Sequence, residues 1–302
     1  MNGTDLITLL MNNSPAITSA VSGICGALFT SIFLRKDTAV AEFEKIKAGQ
    51  LKEVAVELLS SGKMTYTEYY KANNFLDVAQ KADLYYSEMK REESSESYDF
   101  DWFMRFYEAV GDVSDTEIQE IWARILAGEI NSPTSFSMKT IDVLRNLSKK
   151  DAELFGSICT FCMESGDHSF LPNYDEYLNM CGITYSDVMR LSELGLINNG
   201  PLIVLKVPID NQARVFSSDD KYVLFLHTEK DETQSLDVKQ YPLTIAGREL
   251  RSILEYERDE QAMIRFGRVL STNESVNVSV NRIVKIKGGT ITYNSDNLLL
   301  KS

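Results

Sequence analysis

Histidine is almost missing from this chain. His168 and His227 are the only two in 302 residues. Neither lies in a nucleophile motif such as Gly-x-Ser-x-Gly. There is no His-Glu-x-x-His and no Gly-rich phosphate loop. Those absences exclude the commonest imidazole, zinc-hydrolase and nucleotide-binding designs. Carboxylate-only chemistry stays as a third alternative, and the expectation is a protein that is not an enzyme and carries no cofactor or metal. Cysteine is scarce too, with four residues. That is too few for a disulfide scaffold and fits a reducing cytoplasm. Cys159 and Cys162, with His168 and Cys181 nearby, have loose zinc-like spacing. The pair reads better as two thiols on the inner face of a helix.

Basic runs are absent. The longest basic clusters are pairs, such as Arg35-Lys36 and Lys149-Lys150, and the formal net charge is −13. Such a field repels phosphate backbones, so nucleic acid is not an expected partner. The segment before Pro15 carries Asp5 and no basic residue, unlike the positive start of a secretory signal.

Charge is absent altogether from Pro15 to Leu34, after which Arg35 and Lys36 follow at once. Twenty helical residues span about 30 Å, the thickness of a bilayer core. Small residues recur every fourth position as Ser19, Gly23 and Ala27, and on the adjacent row as Ser22, Gly26 and Thr30. This is the small-xxx-small pattern of close helix packing in membranes. The one-sided basic flank puts the large body on the cytoplasmic side of the inner membrane. Two readings stand beside that one: a helix buried between subunits of a soluble cytoplasmic oligomer, and a plain core helix. The first two imply a homo-oligomer.

The rest of the chain reads as mainly α. We expect a helical body, an elaborated winged-helix-like α+β module at the C-terminus and the single N-terminal apolar helix. The divisions are 1–36 for the apolar helix, 37–92 for a helical stalk, 99–170 for a helical core and 171–302 for the winged-helix-like module. The Ser-rich acidic stretch 90–98 reads as a linker. Ser114 with Glu117 predicts a helix starting near Asp115. Ser137, Ser148 and Thr244 read as caps of later helices. The tyrosines of 66–86 read as helix-packing residues. Gly288-Gly289 between two alternating runs predicts a C-terminal hairpin.

A distinctive series runs through residues 99–255. It comprises Asp101-Trp102, Arg105-Phe106, Ser114-Asp115, Trp122 to Glu129 (WARILAGE), Pro133 to Ser137 and Lys139-Thr140-Ile141. Leu194 to Ile197 and Leu243 to Leu250 follow. In combination these resemble the core of an uncharacterised bacterial family of unknown function. The resemblance implies a mostly helical domain followed by a winged-helix-like piece, and no reaction. The WARILAGE helix is also similar to helices of abortive-infection proteins that act against phage. That likeness implies a sensor of infection, with a phage protein as trigger. The residues singled out by the series are Trp102, Arg105, Trp122, Arg124, Glu129, Ser135, Ser137 and Thr140. Arg124 and Glu129 offer a ligand pair. In the reading we favour, Glu129 instead holds the SPTSFS break through Ser135 and Ser137.

Overall fold

The computed structural model describes residues 51–90, 99–200, 203–209, 214–218, 221–228, 234–256, 259–273, 276–287 and 290–300. The chain divides into two compact units, Met1–Arg145 and Asn146–Ser302.

The described part of the first unit is all helix: α1 (51–60), α2 (Tyr66–Glu88), α3 (Phe100–Gly111), α4 (Thr116–Asn131) and α5 (Met138–Arg145). Local chemistry sets the starts. Thr65 and Glu68 form a reciprocal capping box on α2. Asp99 and Asp115 each accept two backbone N–H groups at the starts of α3 and α4. The α4 cap is therefore Asp115 itself, one residue beyond the expected Ser114. Packing is aromatic. Phe75 of α2 meets Phe103, Phe106 and Tyr107 of α3, with centroids at 5.7, 6.2 and 5.1 Å. Phe106 stacks on Trp102 and meets Trp122 edge-on. Each fully buried ring contributes about 2–3 kcal/mol. The α2 tyrosines do not form this core. Tyr66 is 72% exposed and Tyr70 39%; Ala72, Phe75, Leu76, Val78 and Ala82 face inward instead.

The second unit overturns the mainly helical expectation. It is α+β, built on one eight-stranded antiparallel sheet in the order β3-β6-β2-β1-β4-β5-β7-β8. Its elements are α6 (Lys149–Cys159), β1 (Met163–Ser165), β2 (His168–Pro172), α7 (Asp175–Met180) and α8 (Tyr185–Glu193). Then come β3 (Val204–Ile209), β4 (Arg214–Ser218), β5 (Tyr222–His227), β6 (Gln234–Pro242) and α9 (Ile245–Ile253). The last are α10 (Glu260–Ser271), β7 (Asn277–Lys287), β8 (Thr290–Tyr293) and a 3₁₀ turn, Leu298–Leu300. A winged-helix-like module with an appended hairpin does not describe it. Long β6 pairs with both β2 and β3, β5 pairs with both β4 and β7, and β1 beside β4, with Glu164 opposite Ser217, joins the two halves into one sheet. Helix α10 packs on β5 and β7. Phe266 meets Phe170, Phe216 and Tyr177 at 6.1, 5.6 and 6.1 Å. The Tyr177 hydroxyl donates to the Phe161 carbonyl at 2.7 Å, and burial pushes its phenol well above the ordinary range.

Residues 1–50 and 91–98, and with them the apolar segment and most of the Ser-rich stretch, lie outside the described residues. Ser19, Ser22, Gly23, Gly26, Ala27 and Thr30 fall there. Among the described residues no helix is long and apolar enough to cross a membrane, so the expected spanning helix forms no part of the described fold.

Candidate functional site

Trp102 and Glu129, two of the singled-out residues, meet at Phe136. Gly128 leaves room for its ring: a Cβ there would lie 2.6 Å from the Phe136 ring edge. The Trp102 indole N–H donates to the Phe136 carbonyl at 2.7 Å. Glu129, 2% exposed, accepts from the backbone N–H of Thr134 at 2.7 Å and of Phe136 at 3.1 Å. Burying a carboxylate costs several kcal/mol. Charge-assisted bonds of about 1.5–3 kcal/mol each offset that. Glu129 thus grips backbone amides of the SPTSFS break. The Ser135 hydroxyl donates to the Ser132 carbonyl, and Ser137 caps α5, accepting from the Thr140 N–H at 3.3 Å. The Ser137 and Thr140 hydroxyls are 3.2 Å apart, and Thr140 is fully buried. Thr134, whose amide Glu129 holds, has φ 69°, a left-handed conformation that a β-branched residue adopts only under constraint.

The remaining singled-out residues separate from this latch. Trp122 is fully buried against Phe106. Arg105 is exposed, with Asp142 at 3.7 Å. Arg124 lies over the Tyr85 ring at 5.0 Å, in a network with Glu120. Against the cost of burial, hydrogen bonds from Lys81 and Tyr85 hold the Glu120 carboxyl below its ordinary range. Arg124 is thus placed beside Tyr85 and Glu120, and Glu129 on the Thr134 and Phe136 amides.

In the second unit, Cys159 and Cys162 are both buried, but α6 ends at Cys159, so they do not share a helix. Cys181 is half-buried beside Tyr177, with Arg265 at 3.9 Å, and burial raises its thiol. His168 bonds Gln240 at 2.8 Å. Among the described residues no group of three His, Cys, Asp or Glu side chains is placed to hold a metal. Arg190 on α8 donates to both Asp151 carboxylate oxygens. Arg251, 5% exposed, pairs with Glu164.

Two concave surfaces stand out among the described residues. One, of about 320 Å³, lies between α10 and the end of β8; Glu260, Arg282, Asn294 and Asp296 line it. Its charges are largely spent on each other: Arg282 donates to both Glu260 oxygens at 2.7 and 2.8 Å, and Tyr222 donates to one at 3.1 Å. The other, of about 540 Å³, lies between α7 and α8, with Leu178, Ile183, Val188 and Tyr241 in its wall. Neither gathers an acid, a base and a nucleophile.

A family profile for proteins of unknown function, DUF2806, matches residues 63–265. The chain belongs to the DUF2806 family. The DUF2806 region takes in the Phe136 latch and the sheet as far as β6, and is wider than the 99–255 stretch that carries the sequence series. The apolar segment 15–34 and the β7–β8 pair lie outside it. No curated protein and no solved structure matches the chain.

What sequence reasoning missed is Phe136 itself. Its signal was the pairing of Gly128 with Glu129: a glycine in a helix interior, costing about 1 kcal/mol against alanine, beside a carboxylate on a buried face.

Proposed function

We propose that this protein is a non-enzymatic, membrane-tethered scaffold that assembles into homo-oligomers through residues 15–34. The single observation that carries the non-enzymatic part is the use made of Glu129. Its buried carboxylate accepts backbone amides of a loop. The strongest residue pattern in the chain therefore supports a fold-defining role rather than a reaction. The tether rests on the uncharged run from Pro15 to Leu34, its two small-residue rows and the Arg35-Lys36 flank. The body then lies on the cytoplasmic side. In this reading a phage protein serves as trigger and assembly perturbs the membrane.

Fractionation of the full chain tests it. The wild type should pellet with membranes and resist high salt. Gly23→Leu with Gly26→Leu should keep it there but weaken crosslinking between copies. A chain that stays in the soluble fraction sinks the tether. A soluble chain that still crosslinks supports the second reading, an interaction protein with the apolar segment buried between subunits. Phage plating efficiency on cells with and without the protein tests the defence role.

A further inference from the structure

The β7–β8 pair is an amphipathic ribbon. The β5–β7 ladder ends at Tyr222 opposite Arg282, and one further bond runs from the Ile283 N–H to the Lys221 carbonyl. Beyond it, β7 continues to Lys287, paired with β8, the last strand of the sheet. Register and the two-residue alternation assign the faces. Lys285 opposite Thr292 and Lys287 opposite Thr290 share one face. Ile286 opposite Ile291 lies on the other, with Val284, and with Tyr293 opposite Ile283 across a bulge. The apolar face is open: Val284 is 66% exposed, Ile286 48% and Tyr293 45%.

Charge on the ribbon has one sign. No acidic residue occurs between Asn277 and Tyr293 in a chain of net charge −13. Arg282 is occupied by Glu260, whereas Lys285 and Lys287 form no ion pair among the described residues. A monomeric protein seldom leaves adjacent β-branched residues and a tyrosine in water beside unpaired lysines.

We infer that the face formed by Val284, Ile286 and Tyr293 docks on an anionic phospholipid surface, with Lys285 and Lys287 at the phosphate level. An amphipathic element with a lysine-bearing polar face lies in the interface with its apolar face among the acyl boundaries. Long lysine stems reach the headgroups. Val284 and Ile286 are aliphatic and the Tyr293 ring is already packed on Phe225 at 4.5 Å, a face that fits acyl chains better than bases. The inference extends the membrane reading above and rests on it only for proximity: the tether is at 15–34, the ribbon at 283–293.

The test uses the full chain and separates the two. Flotation with neutral phosphatidylcholine vesicles reports the tether. An I286W variant reports the ribbon. Trp102 and Trp122 are 4% and 0% exposed, so brominated lipid quenches the new indole selectively. Quenching should appear on vesicles containing brominated phosphatidylglycerol and be weak on neutral brominated vesicles. Adding Lys285→Gln and Lys287→Gln should weaken the phosphatidylglycerol-dependent binding by about fivefold per lysine, and Val284→Ser should weaken it further. Equal quenching on both lipids overturns the proposal, as does no quenching on either, whatever the flotation result. A blue shift of the I286W emission that grows with protein concentration without lipid assigns the face to a second copy and overturns it too.

Discussion

Arg190 grips the Asp151 carboxylate from two sides, Nε to Oδ1 at 2.8 Å and a terminal guanidinium nitrogen to Oδ2 at 3.0 Å. Ser148 adds its backbone N–H and its hydroxyl to Oδ2 at 3.0 and 2.7 Å. One side chain thus closes the capping box of α6 and ties α6 to α8. The Arg190 bonds above all, against the cost of burial, bring the Asp151 carboxyl from the ordinary 3.8 to about 2.

The sign of the pH dependence follows. A lowered carboxylate pKa adds stability that is fully present above about 3.8 and is lost as pH falls through about 2. Asp151→Asn removes that contribution. Urea unfolding of wild type and variant should show a gap that narrows as pH falls across this window. A gap that stays constant contradicts the assignment.

Glu129→Ala strips the charged acceptor from the Thr134 and Phe136 amides and should cost about 3 kcal/mol. Glu129→Gln, which keeps one carbonyl oxygen, should cost less. Thr134→Gly should stabilise the first unit by about 0.5–1 kcal/mol, because relief of the left-handed strain outweighs glycine's entropy. Urea midpoints at constant slope measure all three; a destabilising Thr134→Gly means the φ of 69° stores no strain.

Two helical glycines should respond in opposite directions. A Cβ on Gly247 would lie 2.1 Å from the Leu196 carbonyl oxygen, where α9 starts against the Ile197–Leu243 bridge. Gly247→Ala should destabilise by about 3 kcal/mol or prevent folding. A Cβ on Gly156 meets nothing within 4 Å. Gly156→Ala should stabilise by up to about 1 kcal/mol through helix propensity. Thermal midpoints of the two variants, one below and one above wild type, check the pair.

The two tryptophans separate packing from hydrogen bonding. Trp102 donates to Phe136, whereas the buried Trp122 indole nitrogen has no partner among the described residues. Both changes to phenylalanine lose volume. Trp102→Phe should cost about 1 kcal/mol more than Trp122→Phe, because it alone leaves a carbonyl unpaired. Chemical unfolding of both variants measures the difference.

Local signals in the sequence held up best where one side chain meets one backbone group. Ser148 and Thr244 cap α6 and α9, and Gly195 closes α8 with φ 77°. The expected C-terminal hairpin is the β7–β8 pair, with Lys287 opposite Thr290. The sheet is hard to read from the sequence because β1 is three residues long and β2 and β4 lack a clean alternation of their own; of these four only β6 alternates, with Leu236, Val238 and Gln240 buried. Their pairing partners lie far along the chain: Phe170 faces Pro242, and Leu171 faces Tyr241. Helix α10 has a regular apolar face, and Asp259 caps its start by accepting from the Gln261 N–H.

Composition and local chemistry determined the acidic field, the scarcity of imidazole and thiol, the caps, and the uncharged run at 15–34. Each is a property of neighbours in sequence, and neighbours are always within reach. Tertiary structure alone decided that β6 sits between β2 and β3, that Gly128, Glu129 and Trp102 converge on Phe136, and that Arg190 is occupied by Asp151. Those outcomes depend on contacts between residues up to tens of positions apart. Their energies exist only once the core is packed and its buried polar groups are matched.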